Sequence, residues 1–223
     1  MTKPRRSFPP APTQARALLI SAHPFTDSFS HALGLAWAEG ARSQGVEVQV
    51  LRLAELDFDP ALHTAYREDQ PLEPDLVQAR DAIAQAAHLS IATPLWWSSV
   101  PAQLKGFFDR VLLPGWAFRY ENDRPVGGLS GRSGRLLMTM DAPTWYDSAL
   151  NFGAGRRQVA QGVMRFCGIK PTRVSAFGDV RMSSPAQRVQ MLEKAQRAGV
   201  EDGASVRQRL PSPALESAGR AAS

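Results

Sequence analysis

Three short segments concentrate the side chains of this chain that can do chemistry. Ala22-His23-Pro24-Phe25-Thr26-Asp27-Ser28-Phe29-Ser30 sets hydroxyls at 26, 28 and 30 where a helix is predicted to begin. Unsatisfied N–H groups at a helix start, together with the helix dipole, favour an anion there, although Ser28 alone would equally explain an ordinary capping turn. The segment contains no glycine, so it is neither a Walker loop nor a dinucleotide-binding fingerprint. Pro94-Leu95-Trp96-Trp97-Ser98-Ser99-Val100-Pro101 holds two indoles and two hydroxyls between prolines that restrict the backbone. Adjacent tryptophans in a loop must cover core or line a pocket, and here we read a pocket suited to a flat aromatic ligand. Thr139-Met140-Asp141-Ala142-Pro143-Thr144-Trp145-Tyr146 supplies a carboxylate and a phenol. These could orient a polar ring edge or move a proton, or Asp141 could bond its own backbone in a turn before Pro143.

The elements between these segments explain why they would meet. Arg16 to Ala22 has a continuous apolar run and reads as a strand buried on both faces. A helix capped by Ser28 follows, with Phe29, Leu33, Trp37 and Ala41 at helical spacing and Gly45 as its stop. Val46 to Leu53 alternates and is expected at the sheet edge. Residues 57–71 read as loop, then come a helix over 74–87, a strand over 88–93, a helix over 102–112, a strand over 135–139, a helix over 155–166, a strand over 172–177 and a last helix over 185–197. Strands alternating with helices give an α/β fold with a parallel sheet covered on both faces. Ligands of such sheets sit at the carboxyl ends of the strands, which is where the three segments fall.

Composition narrows the alternatives. The 223 residues are 43% hydrophobic and 21% charged, with one cysteine, Cys167, so no intrachain disulfide can form. The net charge of +5 invites a nucleic-acid reading. However, residues 1–16 hold four of the basic side chains and no acid, whereas residues 17–200 hold nineteen basic and eighteen acidic ones. With a near-neutral body, no nucleic-acid partner is expected. Arg5-Arg6 superficially matches a twin-arginine export signal, but Pro9, Pro10 and Pro12 stand where an apolar stretch should be. Residues 1–15 are therefore expected to be a disordered basic arm, 16–198 the folded domain, and 199–223 a disordered tail. No apolar run approaches the roughly 18 residues of a transmembrane helix, and a cytoplasmic location is expected. His23, His31, His63 and His88 show no ligand spacing with Cys167, so no metal site is expected.

With its segments read, the chain resembles the flavodoxin-like NAD(P)H quinone oxidoreductases: DT-diaphorases, modulator-of-drug-activity proteins and the ancillary reductases of potassium efflux systems. The resemblance covers roughly residues 17–198. Its most specific stretch is Pro94 to Val111 (PLWWSSVPAQLKGFFDRV). Supporting matches are His23-Pro24 with Ser28-Phe29, Gly115-Trp116-Ala117-Phe118 with Tyr120, and Phe166-Cys167-Gly168. The resemblance implies a doubly wound five-stranded sheet of order 2-1-3-4-5. It also implies that His23, Ser28, Phe29 and Ser30 hold a flavin phosphate region, that Pro94, Leu95, Trp96, Trp97 and Ser98 meet the isoalloxazine, and that Thr139, Met140 and Asp141 border its polar edge. Tyr146 matches a family tyrosine near the pyrimidine side of the ring. Many members carry a histidine shortly after that tyrosine, but Gly153 to Arg157 has none, so Arg156, or its neighbour Arg157, is expected to supply a fixed charge without relaying a proton. Met138 stands where members often have a threonine.

The activity so implied is hydride transfer from NADH or NADPH, through FAD or alternatively FMN, to a quinone-like acceptor. The protein would supply orientation and donors. A homodimer is implied too, with Trp116, Phe118 and Tyr120 expected to be exposed and covered by the second copy. The alternative reading is a flavin-bearing regulatory subunit of a membrane transporter, a peripheral partner, or a flavodoxin-like electron carrier. Carriers of that type tend to be acidic, which this body is not. A hydrolase lacks its G-x-S-x-G elbow.

Overall fold

In a computed structural model, residues 7–211 are described. Their elements in chain order are β1 (Arg16–Ser21), α1 (Phe29–Arg42), β2 (Glu47–Arg52), α2 (Pro74–Gln85), β3 (His88–Pro94), α3 (Ala102–Val111), β4 (Phe118–Glu121), β5 (Arg124–Gly127), β6 (Ser133–Thr139), α4 (Thr144–Leu150), α5 (Ala154–Arg157), β7 (Thr172–Phe177) and α6 (Pro185–Arg207). After α5 the chain continues in wider π-helical winding through Gln158–Arg165. The central sheet is parallel with order β2-β1-β3-β6-β7. Because β4 and β5 form a separate hairpin, this is the expected five-strand order with different numbers.

Alternation along the strands builds two cores. Leu18 and Ile20 of β1, Leu89 and Ile91 of β3 and Leu136 of β6 pack with Leu76 and Ile83 of α2 and Leu104 and Phe107 of α3. Ala17, Leu19, Ala92 and Leu137 face the other way, onto Leu33 and Trp37 of α1 and Ala195 and Ala198 of α6. As expected, β2 lies at the edge, with Glu47 and Gln49 exposed and Val48 buried between them.

Four sequence expectations are corrected. The hairpin and α4 were not anticipated. The final helix does not stop near residue 197: it runs to Arg207, so 199–207 are helical rather than tail. Gly199 and Gly203 permit this, since a Cβ at Gly199 would collide with the Trp37 carbonyl and one at Gly203 would press on Ala41. At the same interface buried Asp202 accepts from Trp37 Nε1 at 3.0 Å and Arg173 Nη1 at 2.9 Å, and pairs with Arg135. Next, residues 7–15 lie against the body. Pro10 O accepts from the fully buried Arg132 at 2.8 Å, Ala15 N donates to Pro211 O at 2.7 Å, and the Arg119 guanidinium sits 4.2 Å over the Phe8 ring. Residues 1–6 and 212–223, the rest of the arm and tail and including Arg5-Arg6, lie outside the described residues. Finally, Trp116 is buried beneath the Arg80 guanidinium and Phe118 packs edge-on to Phe166, leaving only Tyr120 of that trio exposed. Among the described residues no helix is long and apolar enough to cross a membrane.

Candidate functional site

Register places the three segments together. β1, β3 and β6 are adjacent and parallel, so the chain leaves all three at the same end of the sheet. Leu95 N donates to Thr139 O at 2.7 Å, extending the β3–β6 ladder past its last strand pair. Ser30 Oγ and Thr139 Oγ1 lie 2.6 Å apart, joining the first and third segments.

Segment one starts α1. Ser28 caps it, accepting from His31 N at 3.2 Å. The N–H groups of Phe29 and Ser30, in the first turn, have no carbonyl within the helix to bond and remain for an anion. The Phe29 ring is half-buried beneath the Arg188 guanidinium. His23 Nδ1 accepts from Phe25 N at 3.0 Å, which leaves Nε2 as the protonated nitrogen of the neutral ring. The imidazole also meets Trp96 edge-on, with centroids 5.8 Å apart. By contrast, His31 is buried against Ser21 Oγ at 2.8 Å and Arg52. Desolvation and then the Arg52 charge lower its pKa, which suits a neutral structural group.

Segment two is a two-residue turn. Trp96 and Ser99 exchange both backbone bonds, at 3.0 and 2.9 Å, and the central residues Trp97 and Ser98 have φ of 53° and 57°. Left-handed backbone at two successive positions is ordinarily met by Asn and Gly, as in the hairpin turn at Asn122 and Asp123. For Trp and Ser it costs on the order of 1–2 kcal/mol per residue. The cost is not recovered by packing, because Trp97 is fully exposed, at 101%. Strain kept beside an exposed indole is a mark of a ligand site. Pro94 ends β3 and is buried, and the Leu95 side chain packs on the core, so towards a ligand these two offer backbone rather than side chain. Ser99 Oγ donates to Gln158 Oε1 at 2.8 Å, tying the turn to the helix after α5.

Segment three differs in part from expectation. The Met140 side chain is buried in the core, with its N–H on Phe177 O and its carbonyl on Val180 N, so it offers nothing to a ring edge. Asp141 is exposed and makes no side-chain hydrogen bond among the described residues, so it is free rather than closing a turn. Trp145 and Tyr146 open α4 as an edge-on pair, both exposed, and the Tyr146 hydroxyl makes no hydrogen bond among the described residues. Arg156 is bound elsewhere, its Nε donating to Asp147 Oδ2 at 2.8 Å and its Nη2 to Ser148 Oγ at 2.7 Å. The Asp147 carboxylate is buried, so a good share of the Arg156 charge is neutralised on the spot. Sequence reasoning missed Asp147, and nothing in its spacing marked it. Away from the three segments, a larger hollow of about 780 Å³ lies between residues 62–70 and the β4–β5 hairpin.

An exposed indole, a phenol without a hydrogen bond among the described residues and the first-turn amides of α1 thus stand at one end of the parallel sheet. Residues 15–199 match the family described as flavodoxin-like fold, and the chain belongs to it. Among curated relatives it is 31% identical over 185 residues, covering 80% of this chain and 91% of the other, to an uncharacterized NAD(P)H oxidoreductase of Haemophilus influenzae. It is 27% identical over 203 residues to NAD(P)H dehydrogenase [quinone] 1 of Rattus norvegicus, covering 80% of this chain and 74% of that one. Among solved structures, an NAD(P)H:quinone oxidoreductase from Methanothermobacter marburgensis superposes with a TM-score of 0.72 at 26% identity, over 84% of this chain and 98% of that one.

Proposed function

We propose that the chain is a flavin-dependent NAD(P)H oxidoreductase acting on quinone-like acceptors. The observation that carries this reading is the strained Trp96–Ser99 turn, which holds a fully exposed indole at the carboxyl end of the central strand. A bound flavin would take a hydride from NADH or NADPH and return two electrons to the acceptor. The residues present fit such a group. The Phe29 and Ser30 amides, with the Ser28 hydroxyl proton, receive its phosphate. Trp97 and the backbone of the turn receive the ring, and His23 closes the side towards Trp96. Tyr146 offers its unpartnered hydroxyl to the pyrimidine edge, where negative charge grows on reduction, and a placed donor there lowers the barrier. Arg156, held by Asp147, adds a partly neutralised positive charge at longer range and cannot pass on a proton.

FAD is our reading, with FMN the alternative. A homodimer completes the proposal, with Tyr66 and Tyr120, both exposed, around the 780 Å³ hollow as the surface a second copy would cover. The cytoplasm is the proposed location, consistent with the unpaired, buried Cys167. The test is an absorption spectrum of purified protein, with mass spectrometry of the released cofactor. Flavin bands are expected, and a colourless protein that takes up neither FMN nor FAD would end the proposal.

A further inference from the structure

On the outer flank of the sheet, the turn between α4 and α5 borders a second hollow, of about 290 Å³, lined by Ser148, Phe152, Arg156, Arg157, Gln161 and Val174. Its chemistry is specific. Phe152 is 74% exposed at φ 51°, and Gly153 follows at φ 60°, so two left-handed residues in succession leave an aromatic ring largely uncovered. Arg156 is fixed by Asp147 and Ser148, leaving Nη1 without a bond among the described residues. Arg157 is exposed and has no ion-pair partner among the described residues. Asp147 offsets one of the two guanidinium charges, so the hollow keeps a net positive charge beside a bare aromatic face and the exposed Val174.

That set matches an aromatic base carrying a phosphate monoester. Phe152 stacks on the base. Arginine presents paired donors to phosphate oxygens, which together carry −1.5 to −2 charges near neutral pH. The helix that lines the hollow also meets the ring site, on its other face. Gly155, immediately before Arg156, lies so close to Leu95 that a Cβ would strike it, and that Cβ would stand 3.1 Å from Ser98 O in the strained turn. Arg157 follows Gly155 by two residues, just over half a helical turn, and so stands across the helix from the Trp97–Ser98 corner.

We propose that this hollow receives the adenosine 2′-phosphate end of NADPH, and that Arg157 makes the chain prefer NADPH to NADH. NADH carries only a hydroxyl at that position and leaves Arg157 nothing to neutralise. The inference rests on the oxidoreductase reading of the ring site, and its tests separate the two. First, adenosine 2′,5′-bisphosphate and adenosine 5′-diphosphate are titrated calorimetrically into flavin-loaded protein. The 2′-phosphate compound should bind at least tenfold tighter, and Arg157→Glu should abolish the difference. Equal affinity for the two would overturn the proposal whether or not the enzyme turns over. Second, the ratio of kcat/KM for NADPH to that for NADH is compared in wild type, Arg157→Lys and Arg157→Glu. The ratio should exceed ten in wild type, be largely kept by lysine and fall at least tenfold with glutamate. Turnover of both cosubstrates with a ratio near one, or a ratio unmoved by glutamate, would refute this pocket while leaving the oxidoreductase reading intact.

Discussion

Ser30 and Thr139, 109 positions apart in sequence, hold their hydroxyl oxygens 2.6 Å from each other. The bond fastens the start of α1 to the end of β6. It therefore fixes the amides proposed for a flavin phosphate relative to the loop proposed for the ring. Thr139→Val keeps the shape and removes one partner, leaving the buried Ser30 hydroxyl unsatisfied, at a cost of about 1–3 kcal/mol. The flavin dissociation constant should rise about tenfold, read by fluorescence titration of the apoprotein. An unchanged constant would mean the two loops are positioned independently.

Trp97→Gly separates folding from function. Glycine adopts φ near 53° without penalty, and the indole buries nothing. The urea midpoint should stay level or rise, by the equivalent of up to about 1–2 kcal/mol, while flavin affinity and turnover fall. A clear loss of stability would show that the indole packs on the body after all.

Acid should destabilise the protein from pH 6.5 downward. Burial drives the His88 pKa from 6.5 to about 4, against the opposing pull of the Asp202 carboxylate. Between those values the unfolded chain takes up a proton that the native protein refuses, so stability falls as pH falls. Burial works to raise the Asp202 pKa, but the Arg135 hydrogen bond and charge, with His88 and the Trp37 N–H, hold it below its ordinary 3.8, so its contribution is lost on further acidification below that value. At the alkaline end, burial raises Cys167 from 9.0 to about 12, which costs stability above pH 9. Urea midpoints measured from pH 8 to 5 should decline below 6.5, and the decline should flatten in His88→Gln.

Removing residues 1–14 should lower stability without touching the ring site. Phe8 packs against Gly128 and Arg119, and Pro10 O is one of four carbonyls that accept from the buried Arg132. Losing an acceptor for a buried charge costs roughly 1–3 kcal/mol, so the melting temperature should drop by several degrees while flavin content stays full. An unaltered melting temperature would show that the segment is not held as described.

The sheet was legible because its strands differ in kind. β1 is a continuous apolar run and β2 alternates, which sorts centre from edge, and Ser28 announced α1. The end of α6 was hidden because the stretch from Gly199 is rich in Ala, Ser, Pro and Gly without apolar periodicity, whereas the missing Cβ at Gly199 and Gly203 is what brings α6 onto α1. The hairpin was obscured by its brevity. At the site, residue types pointed to Trp97 and Tyr146, but not to the strain at Trp97. That Met140 faces the core and that Asp147 engages Arg156 depend on the twist of β6 and the setting of α4, which no spacing encodes.

The central claim is tested most directly by anaerobic stopped-flow spectroscopy of the flavin-loaded protein. Mixing with excess NADPH should bleach the flavin absorbance in a single fast phase, and a naphthoquinone added next should restore it within the time of one turnover. A flavin that stays oxidised with both NADPH and NADH, or that is reduced but not reoxidised by any quinone, would contradict the account.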